Sequence, residues 1–231
     1  MKLGLGLNIS NNVYDDNYSL DFNGSTQHIT VDTLAGDING ALGTISCWCK
    51  LDTVGTSAHI MKAKVDSNNQ ISFFYHASAN EFRAIHKGGG TPQSAVIASG
   101  DTIENDGNFH NIVMTWSEAA DELKIYLDGT LKATTGSLGT FSGTMTEADI
   151  GQNLLDSAYW NGKISEVAVF TQVVSATTLY NGGKPLELAG LSGLVGYYKF
   201  EEGSGTSAID SSGKGNTGTL VNSPTYSTDT P

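Results

Sequence analysis

Apolar and polar residues alternate with a period of two along most of the chain from Ser19 onward, the pattern of half-buried strands. Leu20 and Phe22, then Ile29 and Val31, alternate on either side of the turn Asn23-Gly24. In TISCWCKL, Ile45, Cys47, Cys49 and Leu51 share one face, and Ser46, Trp48 and Lys50 share the other. Ile71, Phe73 and Tyr75 are followed across a short polar turn by Phe82, Ala84 and His86, which predicts a hairpin over 70–87. His110, Ile112, Met114 and Trp116 form one face of HNIVMTW. The strongest local signal is ELKIYLDGTLKA, where Leu123, Ile125 and Leu127 alternate into Asp128-Gly129 and Leu131 resumes beyond it. DIGQ and GKISEVAVF supply two more strands. Only SATTLYNGG, from Ser175 as N-cap to Gly182, has helical character, and it is short. Strands at regular spacing with turn signals between them predict an all-β, two-sheet antiparallel sandwich of jelly-roll type with at most one or two short helices.

Composition explains how the polar positions are filled. The 231 residues include 28 Gly, and only 16% are charged, against roughly 25% in an average soluble domain. Polarity therefore comes from Ser, Thr, Asn and Gly, while 39% hydrophobic residues suffice for a core. A net charge of -12 with a single arginine, Arg83, leaves no footprint for a phosphate backbone, so nucleic acid is not a predicted partner. No run of about 20 apolar residues exists, so no membrane helix is predicted. The start, MKLGLGLNISNN, lacks a continuous apolar stretch and a small-residue cleavage site, and is not read as a secretory signal. Cys47 and Cys49 are same-face neighbours about 6.5–7 Å apart at Cα, the limit for a bridge. They are expected as buried, reduced thiols, as in a protein made in a reducing cytoplasm.

Taken in order, SLDFNGSTQHITV, TISCWCKL, GNFHNIVMTW with LKIYLDGTL, DIGQ and WNGKISEVAVF with its short helix resemble the laminin-G-like, concanavalin A-like jelly-roll family over roughly 19–185. The resemblance implies two stacked sheets, often with a glycan or protein site and sometimes a calcium ion. Residues 1–18 then form an N-terminal arm, 19–190 the sandwich, and 191–231 a C-terminal extension. That extension, with GLVGYYKFEEGSG near its start, looks like the segment that usually opens such a module. It either fills the opening position of the same sandwich or is a partial second module packed on the first. Its length favours the former, since so short a segment buries little core alone. The LGLGL start and the TDTP tail also resemble laminin-G-like proteins of marine bacteriophages. That likeness implies a virion structural or decoration protein, assembled in host cytoplasm and docked to capsid or tail proteins through the arm. Homo-oligomeric copies and weak adhesion to surface glycans fit the same picture. The alternative is a bacterial carbohydrate-binding module or cell-surface adhesin, extracellular or on the cell surface.

Candidate chemistry is sparse. Retaining glycosidases need two carboxylates about 5–5.5 Å apart on one face. Glu118, Asp121, Glu122 and Asp128 instead flank a hairpin, and the adjacent Glu201 and Glu202 point to opposite sides of a strand. There is no G-x-S-x-G elbow, so a non-catalytic protein is predicted. His110 reads as a core histidine, and the other four histidines show no H-x-H or H-x-x-x-H pairing for a transition metal. Calcium is the candidate cofactor: the loop Asp210 to Asn216 offers a carboxylate, an amide and glycine-exposed carbonyls. The family resemblance sets a glutamate such as Glu166 near it, although Gln27 stands where relatives often carry an acidic residue. The competing reading of the loop is an Asx-turn that needs no ion. Candidate ligand-binding residues are Trp48, on the polar face of its strand, with Tyr159 and Trp160. Trp48 is either a stacking platform or covered by loops or by the tail. The glycine run of KGGGT (87–91) has no helix after it and is not a phosphate loop.

Overall fold

A computed structural model of the protein describes residues 14, 16–52, 55–98, 101, 103–154 and 157–231, so most of the N-terminal arm lies outside the described residues. The chain runs through β1 (Ser19–Asn23), β2 (His28–Thr30), α1 (Asp32–Ala35), β3 (Leu42–Leu51), β4 (Ala58–Lys64), β5 (Gln70–His76) and β6 (Glu81–Gly88). It continues with β7 (Thr91–Ile97), β8 (His110–Ser117), β9 (Glu122–Leu127), β10 (Thr130–Thr135), β11 (Glu147–Ile150) and β12 (Asn161–Phe170). The last elements are α2 (Ala176–Tyr180), β13 (Leu194–Tyr198), β14 (Ser207–Ala208), β15 (Gly218–Val221) and β16 (Thr225–Ser227). No helix among the described residues is long and apolar enough to cross a membrane.

The strands form two eight-stranded antiparallel sheets. Sheet A has the order β10-β9-β8-β3-β12-β1-β16, with β13 also paired to β12; sheet B has the order β14-β15-β2-β11-β4-β5-β6-β7. Alternation decides what lies between them. Ile45, Cys47 and Cys49 of β3 and Ile112, Met114 and Trp116 of β8 face inward, against Ile71, Phe73 and Tyr75 of β5 and Phe82 and Ala84 of β6. Both cysteines are buried free thiols. Asp128 and Gly129 take φ of 49° and 72°, the two left-handed positions that a tight two-residue hairpin turn requires. At Gly162 an added Cβ would lie 2.3 Å from the Lys50 carbonyl oxygen, so glycine is what lets β12 press onto β3.

Sheet A is also covered on its other side. Val113, Ala168, Phe170 and Tyr197 point away from sheet B and pack against Ala176, Leu179, Leu188 and Leu194. The 173–193 segment with α2 thus lies over that face. The extension 191–231 contributes to both sheets: β13 pairs with β12, β16 with β1, and β15 with β2. Two strands lack the plain signal of the others. In β4, AHIMKAK, a bulge between His59 and Met61 breaks the alternation. In β7, Pro92 sits on the edge strand of sheet B, where a missing N–H costs no ladder bond.

Ending the chain at Gly190 would strip both sheets of the four strands β13–β16. The expected outcome is loss of a cooperative thermal transition by circular dichroism. A truncated chain that melts cooperatively at the full-length temperature would show that 1–190 folds alone.

Candidate functional site

With part of the outer face of sheet A covered, the outer face of sheet B carries a mixed row of residues, Asp149, Ser72, His59 and Phe74 buried and Thr30, Lys62, Ile85 and Arg83 partly exposed. The register across β2, β11, β4, β5 and β6 sets Thr30, Asp149, Lys62, Ser72 and Ile85 side by side on it. One step along lie His59, Phe74 and Arg83. The 151–160 loop borders this surface, tied to β4 by the Gly151 N–H donating to the Ile60 carbonyl at 2.9 Å and the His59 N–H to that of Ala158 at 3.0 Å.

The side chains there form a polar centre with aromatic flanks. His59 and Phe74 stack with centroids 4.6 Å apart at 10°, and the His28 ring meets Tyr159 at 6.1 Å. The Gln152 amide donates to the Asp149 carboxylate at 2.5 Å. His59 Nδ1 and Gln152 Oε1 are buried with no hydrogen-bond partner among the described residues. Burial, with Lys62 adding to it, pushes the His59 imidazole down to about 3, so the ring is neutral at physiological pH. Burial first, then Lys64 and Lys87, lowers the Lys62 ammonium. Burial raises Asp149 against the opposing Gln152 bond and the nearby His28. Beside this centre lies a cavity of about 410 Å³ lined by Lys62, Lys64, Gln70, Lys87 and Glu147. Neutral ring nitrogen, amide oxygen, carboxylate and ammonium together offer the donors and acceptors that a polyhydroxylated ligand needs.

Of the residues expected from sequence, all but Tyr159 fall elsewhere. As a stacking platform Trp48 is corrected by α2: it is 4% exposed and stacks under Tyr180 at 5.8 Å. Trp160 is fully buried in the core between the sheets, so its ring is also closed to a ligand. Tyr159 alone of the three is partly exposed and borders the sheet B surface. His110 is partly exposed at the sheet end rather than in the core, its ring held by Asp128 at 2.8 Å and Asp106 at 2.9 Å. The glycosidase carboxylates serve structure: Glu122 pairs with Lys124 at 2.6 Å, Asp121 accepts from the Leu138 N–H at 2.8 Å, and Glu201 accepts from the N–H groups of Asn17 and Tyr18 at 2.9 Å.

Asp210 and Asn216 are brought together, and Glu166 is not with them. The Asp210 carboxylate accepts from the N–H groups of Tyr197 at 3.0 Å, Ser212 at 2.8 Å and Asn216 at 2.8 Å, and from the Ser212 hydroxyl at 2.8 Å. The Asn216 amide donates to Asp37 and to the Val195 carbonyl. Glu166 lies at the other end of the Tyr197 side chain, where it accepts from the Tyr197 and Tyr14 hydroxyls. Among the described residues no group of three or more His, Cys, Asp and Glu is arranged to hold a metal. This donor set does not fit a calcium cage, since the Asp210 lone pairs already meet N–H and O–H donors. The melting temperature is expected to be the same with and without EDTA; a lower value in EDTA would contradict that.

Glu166 yields a second prediction. Burial pushes its carboxyl up to about 8, and burial, then Glu201, pushes Asp16 up to about 7. Both folded values exceed the unfolded ones of about 4. The associated stability is complete below that range and is lost as pH rises through 7 and 8. Wild-type melting temperature should fall by several degrees between mildly acidic and mildly alkaline pH, and Glu166→Gln should flatten the fall. Parallel profiles for the two proteins would contradict this assignment.

Comparison with known proteins agrees with the fold. A family model described as the concanavalin A-like lectin/glucanases superfamily matches residues 23–179. A protein from Bacteroides ovatus described as a candidate for carbohydrate binding has TM-score 0.66 and 15% identity, covering 91% of this chain. This chain spans 59% of that protein's length. The CBM40 domain of a Ruminococcus gnavus IT-sialidase, bound to α2,6-sialyllactose, has TM-score 0.58 and 11% identity over 72% of this chain and 96% of its own. Domain 4 of a GH43 extracellular arabinanase from Geobacillus stearothermophilus, in complex with arabinotriose, has TM-score 0.56 and 14% identity over 72% of this chain and 76% of its own. No curated protein sequence matches. With the model matched over 23–179, well over half its length, the chain belongs to the concanavalin A-like lectin/glucanase superfamily.

Proposed function

We propose that this protein is a non-catalytic carbohydrate-binding module that holds a sugar on the outer face of sheet B. The observation that carries the reading is the pair of buried polar atoms without a hydrogen-bond partner among the described residues, His59 Nδ1 and Gln152 Oε1, near the partly exposed Tyr159 ring. A buried polar atom without a partner costs roughly 1–3 kcal/mol, and sugar hydroxyls supply both donors and acceptors. The partly exposed Tyr159 ring meanwhile suits the C–H side of a pyranose. The solved neighbours that carry bound sugars support the same class of ligand. The structural bonds on Glu122, Asp121 and Glu201 support a non-catalytic role.

The virion reading is a companion proposal about location: a lectin-like domain that decorates a particle. It is supported by the resemblance of the LGLGL start and the TDTP tail to phage proteins. Docking to capsid or tail proteins through the arm belongs to that proposal.

A glycan array with the full chain tests the module. Binding to at least one glycan class is expected. Gln152→Ala and Tyr159→Ala should each weaken it about tenfold, a loss typical of one desolvated polar or stacking contact. Trp48→Phe, on the opposite sheet, should leave it unchanged. Absence of binding, or loss through Trp48→Phe alone, would overturn the proposal.

A further inference from the structure

The chain carries 24 acidic and 12 basic side chains, yet Lys62, Lys64, Arg83 and Lys87 all stand on the outer face of sheet B. Two are neutralised in place: Lys64 pairs with Glu147 at 3.0 Å and Arg83 with Glu81 at 2.8 Å. Lys87 donates to the Ser67 carbonyl at 2.6 Å, makes no ion pair within 4.0 Å among the described residues, and has Asp66 as its nearby counter-charge. Lys62 has no carboxylate within 4.0 Å among the described residues, although it is half-buried. The third row of the face, Lys64, Gln70 and Lys87 in register, closes the cavity of about 410 Å³ that Lys62 also lines. Of the two carboxylates on that cavity, Glu147 is held by Lys64, and Asp66 accepts the N–H groups of Asn68 at 2.7 Å and Asn69 at 2.9 Å in its own turn. Three ammonium groups against two engaged carboxylates make this a net positive pocket on a strongly acidic protein.

That arrangement is costly without a counter-charge. Burial disfavours the Lys62 ammonium and its two lysine neighbours add repulsion. Bringing an anion within hydrogen-bond reach would offset both effects. The volume suits one or two sugar rings, not an extended polymer groove.

We propose that this cavity receives the negatively charged group, carboxylate or sulfate, of an acidic glycan, with Lys62 as its main contact and Lys87 as the second. The inference rests on the module reading and names the ligand class. Gln70, lining the same cavity, meets neighbouring hydroxyls. Nucleic acid is the weaker match, because the -12 net charge repels a long polyanion beyond the pocket itself.

The test uses the full chain and matched ligand pairs. Polygalacturonate is set against its methyl-esterified form, dextran sulfate against neutral dextran, and single-stranded DNA serves as a non-sugar polyanion. Binding to one or both acidic polysaccharides, at least tenfold tighter than to the neutral partner, is expected, and which acidic arm binds identifies the anion. Binding should weaken with salt, because the screening length falls from about 10 Å at 0.1 M to about 3 Å at 1 M. Lys62→Gln should cost about tenfold in affinity, the scale of one charge-assisted hydrogen bond, with an equal or higher melting temperature because it relieves repulsion. Glu147→Gln should hold or strengthen binding. Equal binding of acidic and neutral partners overturns the inference and leaves the module reading standing. Binding of DNA as tightly as the acidic sugars overturns it too. Absence of any sugar binding overturns both.

Discussion

Strand β12 is buried on both of its faces, and the layout of the molecule follows from that. Ile164, Val167 and Val169 sit in the core between the sheets, while Ala168 and Phe170 sit in a second cluster beneath the 173–193 segment. Apolar side chains on both sides of one sheet need two covers, and the chain supplies sheet B for one and α2 with its flanks for the other. That part of the A side is therefore closed to a ligand, while Asp21, Lys50 and Lys163 at the β1–β12–β3 end stay partly exposed. The outer face of sheet B is where this fold can present a strand-built site.

Two-sided burial also explains the kink in β12. Its first half, 161–164, pairs with β1, and its second half, 167–170, pairs with β13 on the same edge. Glu166 stands at the seam with φ of 55°, an uncommon conformation for a non-glycine residue, inside a bulge against β3. Such a position costs on the order of 1–3 kcal/mol. The Tyr14 and Tyr197 hydroxyls hold its carboxylate, so the bulge joins the first described residue to the C-terminal extension.

Much of the fold was legible because local rules and global packing agree in most strands. TISCWCKL alternates cleanly, and Asp128-Gly129 has only one comfortable turn to make. Where they disagree, the pattern was lost. GKISEVAVF reads as a single phase, yet the bulge at Glu166 shifts it, so that Ile164 and Val167 face the same way. β4 hides its alternation behind its own bulge and β7 behind Pro92. The candidate site was less legible. Trp48 and Phe74 are both aromatics in the polar phase of their strands, and the sequence treats them alike. Both are buried, and what separates them is tertiary: Tyr180 lies on Trp48 beneath α2, whereas Phe74 stacks on His59 on the outer side of sheet B. Asp149 in DIGQ and Lys62 in β4 gain meaning only through register, which brings them side by side from segments far apart in the chain.

The central claim is that recognition belongs to the outer face of sheet B. Amide chemical-shift mapping on the labelled full chain, titrated with an acidic oligosaccharide, tests it most directly. The account predicts shifts concentrated on β4, β5, β6 and β11 and on the loop around Gln152 and Tyr159. Shifts confined to α2 and the 173–193 segment, or to the Asp210–Asn216 loop, would contradict it.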